Sequence, residues 1–154
     1  MQAFVTTFTL VFLLLSSGAV NEVKSVELKE FKRIDKKIGN FTKHMEESLF
    51  QISEKGLYAV EVLMLNQNLK VGRNAFTFAI HDRSDNDVSG AELVIVARKL
   101  ESNIEAKPGM TYRRSGVYEV SNLVLTEAGH WKLMIGMKIG NDEDKVILDF
   151  PNVK

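Results

Sequence analysis

Three histidines, six methionines and one aspartate-rich stretch hold this chain's options for metal or acid–base chemistry. The histidines are His44, His81 and His130. A zinc site needs three or four ligands converging at about 2.0–2.3 Å from the ion. His44 stands in a charged stretch ahead of the main body, while His81 and His130 mark the ends of different strand-like runs. No acidic residue lies at ligand spacing from either. Thioethers and imidazole suit Cu(I), yet Met134 and Met137 fall on opposite faces of one strand. His130 and Met134 share a face, but a strand rises about 3.3 Å per residue, which puts them about 13 Å apart. Met110 sits in an irregular segment, and nothing in the sequence ties it to His44 or His81. Asp82, Asp85 and Asp87 alternate as calcium loops do, but Gly90 and a missing terminal glutamate depart from the twelve-residue pattern. A solvated turn is the expectation there.

The wider inventory is equally sparing. The absence of cysteine excludes disulfides, thiolate nucleophiles and thiolate metal sites. Serine-nucleophile motifs and phosphate-cradling glycine loops are missing. The expectation is a protein that is not an enzyme, with no catalytic, cofactor-binding or metal-binding residues and no cofactor. Twenty basic residues balance twenty acidic ones. A nucleic-acid binder needs surplus positive charge to displace phosphate counterions, so that class of partner is not expected.

The elements that would carry these residues fall into three parts: 1–20, 21–47 and 48–154. Ala3 to Val20 is apolar and uncharged, with Ser17-Gly18-Ala19 supplying small side chains for a cleavage site. It reads as a cleaved secretory signal or an uncleaved N-terminal anchor, with a buried helix as the third reading, and export of the remainder is the expectation. No basic residue precedes the apolar core, and Lys24, Lys29, Lys32 and Arg33 follow it, against the usual charge bias. From residue 21 to 47 acids and bases intermix. Phe31, Ile34, Ile38, Phe41 and Met45 recur at intervals of three and four, which predicts a charged helical connector interrupted at Gly39-Asn40.

Beyond residue 48 the period changes to two. Tyr58, Val60, Val62 and Met64 alternate, as do Phe76, Phe78 and Ile80, and later Trp131, Leu133, Ile135 and Met137. Strands are expected at 48–53, 57–65, 74–81, 92–97, 116–120 (with 123–125 continuing it), 130–139 and 145–150. Glycine and polar turn residues separate them. The predicted fold is all-β: an immunoglobulin-like antiparallel β-sandwich of about seven strands, with those alternating sets facing inward.

Four segments bring out a likeness: LYAVEV, NLKVGRNAFTFAIHDRSDNDVSGAELVIVAR, SGVYEVSNLVLTEAGHWKLMI and VILDF. They carry a Val71-Gly72-Arg73-Asn74 turn and an Asp-rich loop closing on Gly90-Ala91. Gly116-Val117-Tyr118 and Ala128-Gly129-His130-Trp131 follow. From Leu57 to Phe150 the chain resembles the YtkA-like domain family, related to the FixH-like proteins. The resemblance implies a small exported or membrane-tethered sandwich, of a kind often found near copper-handling and respiratory-oxidase assembly systems. The family's Met/His loop after the strand ending at Ala97 is missing, since residues 98–104 hold neither residue type. The expected function is therefore a non-catalytic, periplasmic or otherwise extracytoplasmic module. It would bind or scaffold another envelope protein, with membrane contact through the N-terminal segment; the alternative is a copper-binding accessory protein.

Overall fold

Apolar residues at every second position need a sheet that buries one face, and two such faces close on each other here. The computed structural model describes residues 32–112 and 116–154, so the 1–20 leader and the first part of the connector lie outside it. Eleven strands and a short 3-10 turn at Leu65–Gln67 make up the described residues. They are β1 (Arg33–Ile38), β2 (Phe41–Met45), β3 (Leu49–Ile52), β4 (Tyr58–Leu63), β5 (Gly72–Asp82) and β6 (Glu92–Lys99). The rest are β7 (Glu105–Ala106), β8 (Gly109–Tyr112), β9 (Val117–Leu125), β10 (Gly129–Ile139) and β11 (Asp142–Val153). A five-stranded sheet in the order β3-β4-β5-β9-β8 packs on a four-stranded sheet in the order β11-β10-β6-β7. Every pairing is antiparallel. The all-β sandwich expected from the sequence is what forms.

The core follows the alternation. Tyr58, Val60, Val62 and Met64 are buried from one sheet, and Trp131, Leu133, Ile135 and Met137 from the other. Trp131 is fully enclosed, and its indole N–H donates to the Glu127 carbonyl at 3.0 Å, closing the Ala-Gly-x-Trp turn on itself. Asn74 explains the Val-Gly-x-Asn motif in the same way. Its Oδ1 accepts from Lys70 N, while its Nδ2 donates to the carbonyls of Lys70, Gly72 and Leu123. The predicted pieces 116–120 and 123–125 form one strand, β9, with an irregularity between them. Asn74 and Phe76 of β5 face Leu123 and Val120, leaving Ser121 and Asn122 opposite a single residue. Asn122 takes a positive φ of 55°, and the extra residue lets both Val120 and Leu123 point inward.

The helical connector is not what the chain builds from residue 33 onward. Arg33–Ile38 and Phe41–Met45 are strands that pair with each other, with Ile38 opposite Phe41 and Lys37 opposite Thr42. Gly39-Asn40 is the two-residue loop between them. Gly39 has φ 61° and Asn40 does not share it, the signature of a hairpin turn with glycine at its first corner. The three-and-four spacing is compatible with both readings. What decides between them is burial: Phe41 and Thr42 are only 3% and 5% exposed, covered by the sandwich rather than by a helix's own turns. Lys32 and Arg33 pair with Glu46 and Asp35 on the solvated side, and Lys36 is exposed.

Two residues clamp the loop between β5 and β6. The buried Tyr118 hydroxyl accepts from Ala91 N at 3.0 Å and donates to Val88 O at 3.1 Å. Gly116 has φ 70°, and a β-carbon there would stand 2.9 Å from both Asp87 Cβ and Val88 O. Tyr118→Phe should cost about 1–2 kcal/mol by stranding a buried donor and acceptor. Gly116→Ala should cost about 2 kcal/mol or more, since a strained φ and a backbone clash add. Urea midpoints of the two variants measure both losses.

Candidate functional site

The outer face of the five-stranded sheet is where titratable groups collect. In the β4–β5 register Glu61 lies opposite Ala79 and Ala59 opposite His81, so Glu61 and His81 sit diagonally on that face. A carboxylate inside the apolar run LYAVEVLML would normally point to water. Instead β2 and the turn into β3 lie over it, and Glu61 is 3% exposed. Its Oε1 accepts from Met45 N at 2.7 Å and from Ser48 Oγ at 2.5 Å. His44 N donates to both carboxylate oxygens at 3.0–3.1 Å. Glu61 thus satisfies backbone donors that β2 cannot place in a ladder, and so fixes the corner where the hairpin meets the sandwich.

Six more groups surround this anchor. His81 Nε2 lies 3.7 Å from Glu61 Oε2, an ionic contact rather than a hydrogen bond, and Nδ1 lies 3.1 Å from Asp87 Oδ1. The His44 ring meets the His81 ring edge to face, with centroids 4.7 Å apart. His44 Nε2 is 3.4 Å from Asp85 Oδ1, and its Nδ1 is 3.7 Å from Asp35 Oδ1. Arg33 Nε donates to both oxygens of Asp35 at 3.1 Å. Among the described residues, His44 Nδ1 and both ring nitrogens of His81 are buried without a hydrogen bond of acceptable geometry.

The electrostatics follow from this packing. Burial opposes ionisation of Glu61, but the adjoining His81, the Ser48 hydroxyl and the Met45 and His44 amides outweigh it, and the carboxyl falls to about 2. Burial likewise disfavours a charged His81. Glu61 and then the fields of Asp87 and Asp85 reverse that, and its proton affinity is raised. Asp82 is occupied within its own loop, accepting from the Asn86 side chain and from Ser84 N and Asn86 N, which lowers its carboxyl. That is the solvated turn expected of the Asp-rich segment. The loop also folds back on β5, with Val88 N bonded to Ile80 O.

Sequence spacing separates His44 from His81 and leaves each without an acid; the fold joins them and adds Asp35, Glu61, Asp85 and Asp87. The one signal in the sequence is Glu61 itself, an acid inside the apolar run LYAVEVLML. His130 stays apart, on β10 of the other sheet, where Nε2 meets Asp149 Oδ1 at 2.7 Å. Met134 and Met137 do take opposite faces of β10, the second buried and the first half-exposed. The side chain of Met110 lies outside the described residues. Among the described residues no three His, Asp or Glu groups are arranged to hold a metal ion. No described helix is long and apolar enough to cross a membrane. Among the described residues two open depressions are lined by Asn66–Asn68 and Asp149–Asn152, and by Leu57, Tyr58, Asp82–Ser84 and Asp142.

Comparison with curated proteins and with solved structures finds no match. The profile of the YtkA-like family matches residues 54–136, from the β3–β4 turn to the middle of β10. That span takes in Glu61, His81 and the Asp-rich loop, but neither His44 nor the hairpin that carries it. The chain belongs to the YtkA-like family.

Proposed function

We propose that this protein is a non-catalytic, extracytoplasmic β-sandwich that docks another envelope protein during an envelope or respiratory assembly process. The observation that carries this reading is the outward face of the four-stranded sheet. Val94 there is 61% exposed and Ile147 38% exposed. The register sets Val96, Met134 and Ile147 in one row across β6, β10 and β11, with Val94, Gly136 and Lys145 in a parallel row. Charged rows close both ends: Arg98, Lys132 and Asp149 at one, Glu92, Lys138 and Glu143 at the other. An apolar strip of Val94, Val96, Met134 and Ile147 inside a charged frame has the anatomy of a protein interface, in which a dry centre contributes affinity and the rim sets orientation. The apolar Ala3–Val20 sequence supports export.

A photoreactive cross-linker placed at position 94 in intact cells tests the docking face. One discrete adduct with an envelope protein, lost in Ile147→Lys, is the expected result. No adduct, or recovery of the chain in the cytoplasmic fraction, would overturn the reading.

A further inference from the structure

The cluster around Glu61 gathers groups from five separate places: Asp35 on β1, His44 on β2, Glu61 on β4, His81 on β5, and Asp85 and Asp87 on the loop after β5. We propose that it is a proton-operated clasp, in which a proton taken up at His81, between the Glu61 that holds the hairpin and Asp87, fastens the β1–β2 hairpin to the loop joining β5 and β6. The proposal is independent of the docking face and of the compartment.

The geometry makes the neutral cluster incomplete. With both rings uncharged, four carboxylates crowd two imidazoles, and the Arg33 guanidinium beside them is already bonded to Asp35. A neutral imidazole has one N–H and one lone pair, so on each ring one nitrogen is held against a carboxylate oxygen lone pair to lone pair. A single proton converts such an approach into a charge-assisted contact. Each imidazole is bracketed by carboxylates of two different elements, His81 by Glu61 and Asp87, His44 by Asp35 and Asp85. The His44–Asp85 approach is the direct tie from hairpin to loop. The rings stand 4.7 Å apart, edge to face, so His81 packs directly against the hairpin's own imidazole.

The sign is fixed by the groups that face His81: Glu61 from β4, Asp82 at the end of β5, Asp85 and Asp87 from the loop, and His44, Asp35 and Arg33 from the hairpin. Acids dominate, and the folded state favours the protonated ring. A proton-favouring fold gains stability that is complete below the ordinary histidine value and lost as pH rises through the higher folded value. The acid limit is set by Glu61, whose stabilising contribution fades as pH falls from about 4.5 towards 2. The clasp is shut in mild acid and loosened in mild alkali.

Amide hydrogen exchange of the purified full chain tests this. Rates for the β1–β2 hairpin are corrected for intrinsic chemistry and referred to β10 amides at pH 6 and pH 8. The hairpin should be about ten-fold better protected at pH 6. His81→Gln should abolish that difference, and His130→Gln, whose ring pairs with the exposed Asp149 on the other sheet, should keep it. Equal protection at both pH values, or a full pH effect in His81→Gln, would overturn the proposal. Should His81→Gln fail to fold, NMR of the wild-type chain decides. Hairpin amide shifts that follow the His81 imidazole titration support the clasp, and shifts that ignore it refute it.

Discussion

Glu61→Ala should cost about 3–5 kcal/mol, a large part of the total stability expected of a domain this size. The carboxylate answers two backbone amides and one hydroxyl in a dry corner. Its removal strands the two amides, while the Ser48 hydroxyl still reaches Met45 O at 2.8 Å, and leaves Asp87 as the one carboxylate at ion-pair distance from His81. The loss should concentrate in the hairpin, so urea unfolding followed at β1–β2 should separate from unfolding followed at Trp131. Glu61→Gln keeps the shape and one acceptor oxygen and should lose less. It should also remove acid sensitivity. Because the folded carboxyl lies near 2, its stabilising contribution is present above its ordinary value of 4.5 and disappears as pH falls from there towards 2. Wild type should lose stability across that window, and Glu61→Gln should lose much less, in melts at pH 6, 4 and 3.

Trp131→Ala is the second large effect, also about 3–5 kcal/mol. Here the cause is a void. The indole is fully enclosed between the sheets and also closes the 127–131 turn through its N–H. A drop of that size should lower the melting temperature by roughly 15–30 °C in a domain of about 100 residues. Trp131→Phe refills much of the space but not the hydrogen bond, and should recover more than half of the loss. Calorimetry of the three proteins measures this. A Trp131→Ala melt within a few degrees of wild type would mean that the sheets do not meet at Trp131.

Both effects separate what is legible in the chain from what is not. Trp131 belongs to an uninterrupted alternation in which one face is apolar, and any strand with that pattern must bury that face. The same alternation places Tyr58, Val60, Val62 and Met64 inward. It fails at the outer set of the same strand: Ala59 and Glu61 are as buried as their neighbours because β2 covers them. That covering is a tertiary event without a local pattern. Phe41 and Met45 fit a helix face as well as a strand, and a two-stranded hairpin gains most of its stability from what it packs against. The site is hidden from sequence for the same reason. Glu61 and the amides it binds are 16 and 17 residues apart, and Asp35 to Asp87 spans the hairpin, three strands and a loop. Ligand spacing within one element cannot reveal a cluster built from five.

Turn chemistry is easier to read. Asn74 staples its own turn, bonding main-chain groups of Lys70 and Gly72 four and two residues back. The hydroxyl of Tyr118 reaches the neighbouring loop, as its place beside a glycine turn suggests.

The account rests on the hairpin being an integral layer over the sandwich, with its histidine against the one on β5. Nuclear Overhauser spectroscopy between the ring protons of His44 and His81 at pH 6 measures that contact directly. Edge-to-face rings with centroids 4.7 Å apart must give a strong cross-peak. A strong His44–His81 cross-peak is the predicted result, and its absence in a folded sample with both rings assigned would contradict the account.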